Sequence, residues 1–149
     1  MAERGSFPVR LVTPEGVQFE GEAQMVIATG VGGDVGILAR HAPIVADLKM
    51  GSCRVQTPEG EWKTWATAEG FAKAHDSTAL VLVEEAVPVE EIDVAAADAL
   101  IEDHENRIAG SGSGTAEHDV YSSDVNASRK SIEWGQHLKR LASEHTAAR

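Results

Sequence analysis

Turn clusters punctuate the first 88 residues at short intervals, and no helical period competes with the alternating segments between them. Pro14-Glu15-Gly16, Gly30-Val31-Gly32-Gly33 and Thr57-Pro58-Glu59-Gly60 each combine residues that bend a chain, proline by its fixed φ and glycine by tolerating φ above zero. Between them lie short β-like segments: Phe7 to Thr13, Val17 to Phe19, Glu22 to Ala28, Val35 to Leu38, Ile44 to Asp47, Ser52 to Gln56, Trp62 to Ala66 and Phe71 to Ala74. The last, Thr78 to Val83, is apolar enough to be covered on both faces. Many short strands at regular turn spacing predict an antiparallel sandwich or barrel. Trp62 and Trp65 fall on opposite faces of one strand, which places at least one in the core or at an interface.

The texture changes at Pro88, which divides a β domain over residues 1–88 from a helical domain over 89–149. Glu90-Glu91-Ile92-Asp93 puts acids where a helix begins and its free amides favour negative charge. Ile92, Ala96, Ala99, Leu100 and Ile108 lie near one face of that helix, but alanine dominates it, so the stripe buries little area. The helix stops at Ala109-Gly110-Ser111-Gly112-Ser113-Gly114, a flexible connector. A second helix starts between Ser122 and Asp124, runs to about Ala142 with Val125, Ile132, Leu138 and Leu141 on helical spacing, and is weakened at Gly135. The pair reads as a two-helix antiparallel hairpin whose arms differ in charge. Glu90 to Glu105 holds seven acids and no base, whereas Arg129 to Arg149 holds five bases against two acids. Such faces either attract one another when the hairpin closes or let the basic arm dock on an acidic partner.

With 13 Lys+Arg against 24 Asp+Glu, the chain carries a formal net charge of -11, which argues against gripping phosphate backbones. The one cysteine, Cys53, cannot close an intramolecular disulfide. No apolar run is long enough to span a bilayer, and no apolar stretch behind Met1 to Ser6 resembles a secretory signal.

Chemistry is scarce. Gly30 to Gly36 fails as a dinucleotide loop because Val35 stands where the third glycine belongs, and no P-loop lysine is present. A tight turn exposing the Asp34 carboxylate fits better. His41 could recruit Asp34, Asp47, Ser6 or Ser52 on paper, but no nucleophile-elbow sequence surrounds any of them. The other histidines are scattered, and without an H-E-x-x-H motif nothing recommends a zinc site. No cofactor is expected.

The residues resemble a known family. Val12-Thr13-Pro14-Glu15-Gly16, Phe19-Glu20-Gly21-Glu22-Ala23 and Gly33-Asp34-Val35-Gly36-Ile37-Leu38-Ala39-Arg40-His41-Ala42-Pro43 look like the epsilon subunit of the rotary F-type ATP synthase. Leu48, Gly51, Glu69-Gly70-Phe71, Val81-Leu82, Ala86 and Glu91-Ile92-Asp93 continue in the family's order. The resemblance spans essentially the whole N-terminal part and is much weaker in the hairpin. It implies a β-sandwich followed by a two-helix domain.

The role that this resemblance implies is mechanical and non-catalytic. It implies a central-stalk subunit that couples the c-ring to the gamma subunit, with Gly33, Asp34, Arg40 and His41 at the ring contact. It implies that the hairpin can extend toward the catalytic alpha and beta subunits and block ATP hydrolysis, with Arg129, Lys130, Lys139 and Arg140 as the bases that meet an acidic segment of beta. It also implies a peripheral location on the cytoplasmic side of a bacterial membrane. Some relatives bind ATP through I/L-D-x-x-R-A at the first helix; Ile92-Asp93-Val94-Ala95-Ala96-Ala97 has Ala96 in place of the arginine, so no nucleotide binding is expected. Glu69 stands for the first glycine of Gly-Gly-Phe and Ala39 for a usual proline, which implies slightly altered turns. Two rivals remain at this level: a free-standing β-sandwich adaptor for a protein partner, and a small hydrolase using His41.

Overall fold

The structure is a computed structural model and describes residues 5–110 and 118–148. It divides into two compact units, Met1–Val89 and Glu90–Arg149. The first carries nine strands: β1 (Phe7–Thr13), β2 (Gly16–Ala23), β3 (Met25–Gly30), β4 (Gly33–Leu38), β5 (Ile44–Gln56), β6 (Trp62–Thr67), β7 (Gly70–His75), β8 (Thr78–Val83) and β9 (Ala86–Pro88). Hydrogen bonding orders them as β2-β1-β8-β7-β5 on one side and β4-β3-β5-β6-β9 on the other, so β5 belongs to both layers of a sandwich.

Alternation along the strands makes this possible. Val9 and Leu11 of β1 and Val81 of β8 face inward from one layer, Val26, Ile37 and Val55 from the other, and all are essentially without solvent contact. Each such side chain contributes about 1.5–3 kcal/mol relative to exposure. Trp65 points into this core and its ring meets Phe19 of β2 at 5.3 Å, whereas Trp62 lies outside. The expected split between the two tryptophans is therefore observed.

The strand map differs from expectation in several places, one being the short β9, which lies beyond the last strand expected from the sequence. Glu22 to Ala28 is two strands, broken at Gln24, whose amide donates to the Gln56 carbonyl at 2.8 Å and whose Nε2 donates to the Pro58 carbonyl at 2.9 Å. Ile44 to Asp47 and Ser52 to Gln56 are instead one thirteen-residue strand. Its first half pairs with β7 and its second with β6, and β3 runs along it close enough that a Cβ at Gly51 would collide with Thr29. The sandwich is antiparallel apart from β1 and β8, which pair in parallel. On β8 only Ala79, Val81 and Val83 are buried, and Leu80 and Leu82 are half-buried rather than covered.

A 3₁₀ turn, Val89–Glu91, carries the chain from the first unit into the second, which continues as α1 (Val94–Gly110) and α2 (His118–Ala147). Asp93 caps α1, its Oδ1 accepting the Ala96 amide at 3.1 Å and its carbonyl the Ala97 amide at 3.0 Å. α2 is longer than the expected span at both ends, because no glycine or proline follows Ala142 to stop it and Thr146 hydrogen-bonds back to the Ala142 carbonyl. Of the expected connector, Gly110 closes α1 and residues 111–114 lie outside the described residues. The helices run antiparallel: His104 meets Ser128, Ile101 meets Gly135, and Asp98 meets Lys139. Gly135, expected to be a weak point, is buried at the close approach of the two helices.

Candidate coupling surfaces

The first surface is the free edge of β4. This strand ends its layer and, among the described residues, pairs with β3 alone. At its start, Gly30 and Gly33 face each other around a tight turn, and a Cβ on Gly30 would stand 2.6 Å from the Gly33 carbonyl oxygen. Gly33 sits at φ 125°, a conformation that side chains disfavour. Asp34 follows with an exposed carboxylate, 3.7 Å from Arg54 Nη2, and that guanidinium lies 6.0 Å from the Trp62 ring centroid. At the far end, the His41 amide donates to the Leu38 carbonyl at 3.1 Å, closing a turn with Arg40 at φ 62°. Arg40 projects outward and His41 is half-buried, its Nδ1 2.6 Å from the Ala42 carbonyl.

Gly33 and Asp34 thus open β4 and Arg40 and His41 follow it, at opposite ends of a strand that spans roughly 16 Å at ~3.3 Å per residue. They do not converge on one point. They flank one open edge whose outward residues, Asp34, Gly36 and Leu38, alternate with the inward Val35 and Ile37. His41 has no carboxylate or hydroxyl partner among the described residues; Asp34 is engaged by Arg54, and Ser52 is tied through its backbone to Thr29. Cys53 is buried in the core, and burial pushes its thiol up to about 12, far from a reactive thiolate. No group of three or more His, Cys, Asp or Glu is arranged for a metal among the described residues.

The second surface was not singled out from the sequence. Strand register aligns Val17, Val12, Leu82 and Phe71 in one row across the outer face of the layer β2-β1-β8-β7. The neighbouring row brings Leu80 and Lys73 beside Val45. Phe71 is 40 % exposed and Val45 67 %. The one signal for it in the sequence was the unbroken apolar run Ala79 to Val83, whose second face the sandwich itself leaves half-covered.

The third surface is the hairpin. Lys139 pairs with Asp98 of α1, and the Arg140 guanidinium lies 2.8 Å from His137 Nδ1. Arg129 is exposed and eleven residues before Arg140, three helical turns that set both on one face. Lys130 is exposed as well and makes an interaction of its own. The four bases therefore do not form one patch: Lys139 turns toward α1 while Arg129 and Arg140 share another face. Ala96 is exposed in the first turn of α1, where it offers an anion nothing beyond its backbone.

The family profile described as "ATP synthase, Delta/Epsilon chain, beta-sandwich domain" matches residues 6–89. The chain belongs to the ATP synthase epsilon-chain family. The ATP synthase epsilon chain of Syntrophomonas wolfei is 36% identical over 141 residues, covering 95% of each chain. That of Desulforudis audaxviator is 42% identical over 101 residues, 68% of this chain and 73% of its own. Among solved structures, a chain of the Euglena gracilis mitochondrial ATP synthase (OSCP/F1/c-ring) superposes with a TM-score of 0.68 over 94% of this chain and 83% of its own at 20% identity. At that identity the likeness speaks for the fold, and the epsilon-family assignment rests on the profile and the relatives. The two-unit architecture of sandwich and helical hairpin agrees with it. No helix among the described residues is long and apolar enough to cross a membrane.

Proposed function

We propose that this epsilon-family chain is a non-catalytic central-stalk subunit of a proton-driven F-type ATP synthase, peripheral on the cytoplasmic side of a bacterial membrane. The observation that carries the reading is the apolar row Val17, Val12, Leu82 and Phe71 on the outer face of the sandwich. A layer with that outer face gains by lying against a second protein surface. In this reading the surface belongs to gamma.

The free edge of β4 then meets the polar loops of the c-ring. A rigid sandwich with a glycine-bearing, polar edge suits a contact that must transmit torque without slipping, and Asp34, Arg40 and His41 offer both signs of charge along it. The hairpin is the regulatory arm that restrains ATP hydrolysis, with Arg129, Lys130, Lys139 and Arg140 as its contacts to the catalytic alpha and beta subunits.

Co-expression with gamma tests the core of this reading. A stable one-to-one pair is expected, and Phe71→Glu, at an exposed site that leaves the fold intact, weakens it by about tenfold or more, as loss of a central aromatic anchor does. A chain that stays free of gamma while binding another protein through the same face makes it a free-standing adaptor instead. Cysteines at Asp34 and His41 that cross-link to the ring support the edge contact. Replacing the four bases with alanine should raise ATP hydrolysis at low ATP if the arm inhibits, and unchanged hydrolysis overturns that part.

A further inference from the structure

We infer that His41 and His75 form a site for a divalent transition-metal ion that favours imidazole ligands, with zinc as its representative. The ion clasps the turn after β4 to the turn between β7 and β8. The inference goes beyond the stalk reading and needs neither gamma nor the ring.

Sheet register brings the two histidines together from distant parts of the sequence. Ile44 of β5 pairs with Ala74 of β7. That pairing lays the segment leading into β5, and His41 with it, alongside the turn that carries His75. Both histidines line one small cavity together with Ser77 and Thr78. Its volume of about 10 Å³ has room for one water or one bare ion. His75 is exposed and His41 half-buried, so an ion reaches them from solvent. No H-E-x-x-H spacing announces the pair, because its members meet only across the sheet.

The hydrogen bonds of both rings prepare them as ligands. His41 Nδ1 lies 2.6 Å from the Ala42 carbonyl oxygen, and His75 Nδ1 lies 2.8 Å from Asp76 Oδ2. A carbonyl and a carboxylate only accept, so each neutral ring carries its proton on Nδ1 and keeps the Nε2 lone pair free. Metal-bound histidines have this arrangement, the second nitrogen donating to a carbonyl or carboxylate that fixes tautomer and ring orientation. Other histidines differ: His104 Nδ1 meets the Ser128 hydroxyl, and His137 Nδ1 accepts from the Arg140 guanidinium.

The backbone holds the two rings in place. Arg40, Asp76 and Ser77 are the non-glycine residues at positive φ among the described residues, at 62°, 49° and 60°. All three lie in the two turns that border the cavity. Side chains disfavour this region, and it persists where the surroundings over-determine it. Thr78 Oγ1 donates to the His75 carbonyl at 2.7 Å and ties the second turn further. Two ligands are fewer than the four of a structural zinc site, so water completes the coordination and the ion is exchangeable.

The test titrates zinc chloride into the full, untagged chain by calorimetry, and one ion per chain is expected. Asp76→Asn keeps a residue that tolerates positive φ and removes the carboxylate. It should weaken binding about tenfold, the cost of losing an outer-shell partner. His41→Gln and His75→Gln should each weaken binding at least as much. Paramagnetic nickel added to isotope-labelled chain should broaden the amide signals of residues 38–42 and 74–78 before any others. Away from the site each variant should keep the native amide spectrum, which separates loss of a ligand from loss of the fold. Unchanged affinity in either histidine variant, zinc binding that persists when both are replaced, or broadening centred on the helical unit overturns the site. A chain that takes zinc but never pairs with gamma sinks the stalk reading alone. One that pairs with gamma and ignores zinc sinks this site alone.

Discussion

Gly135 of α2 lies so close to Ile101 of α1 that a Cβ at position 135 would stand 2.7 Å from Ile101 Cγ1 and 3.2 Å from the Ala97 carbonyl oxygen. Two effects then compete at this position. Alanine is a better helix former than glycine by about 1 kcal/mol. Overpacking a close contact costs about 1–3 kcal/mol, and the obstructing atom is near the root of its side chain. The clash wins. Gly135→Ala is expected to lower the melting temperature of the helical signal at 222 nm, and Ile101→Ala added to it should return part of the loss; a higher melting temperature for the single variant would falsify the close-crossing account.

Gly70 faces a harsher limit. A Cβ there would run into the Leu82 carbonyl oxygen of β8 and come within 2.7 Å of Val83 Cα. Both are backbone atoms inside a paired strand, so neither can swing aside. Gly70→Ala should cost at least the ~3 kcal/mol at the top of the overpacking range. Urea unfolding of the sandwich should register it as a large drop in midpoint, or as insoluble protein. Glu69→Gly, at the exposed position before it, should lower the midpoint far less, by about 1 kcal/mol from added backbone freedom and the interaction that Glu69 makes.

Cys53 links stability to alkaline pH. The folded thiol holds its proton up to about 12, whereas an unperturbed thiol releases it near 9.0. Above that lower value unfolding releases a proton, so stability is full below pH 9 and falls as pH rises, by about 1.4 kcal/mol per unit. Unfolding midpoints at pH 8, 9 and 10 should decline more steeply for the native chain than for Cys53→Ala. Parallel slopes would show that the thiol is not the cause.

Asp93 sets where α1 starts. Its carboxylate accepts the Ala96 amide, one of the donors that a helix N-terminus leaves unpaired. Asp93→Ala should cost the second unit about 1 kcal/mol and speed amide exchange in the first turn of α1. Asp93→Ser, which can still cap, should recover most of the protection; equal exchange in all three proteins would exclude the cap.

Much of this architecture was legible without coordinates, and the reason is local. The turn residues at Pro14 to Gly16, Gly30 to Gly33 and Thr57 to Gly60 fix bends through their own backbone preferences, so β1 and β8 appear in the sequence with the bounds that the structure gives them. The capping acid at Asp93 and the helical spacing after it act over a single turn, and the start of the helical unit follows. The glycine-rich turn likewise announces the exposed Asp34 carboxylate, whereas Arg40 and His41 were named only through the family resemblance.

What tertiary structure decided are the relationships between segments distant in sequence. Whether Leu48 to Gly51 ends a strand or carries one across two layers depends on Thr29, more than twenty residues earlier. The parallel pairing of β1 with β8 and the outer row from Val17 to Phe71 exist only once register is set, since neighbours in that row come from four strands. Gly135 reads as a flaw by helix propensity and proves to be the contact that lets two helices meet, because propensity counts one chain segment and steric fit counts two. Asp98 and Lys139 carry opposite charges in any reading of the sequence; their pairing follows from the antiparallel register alone.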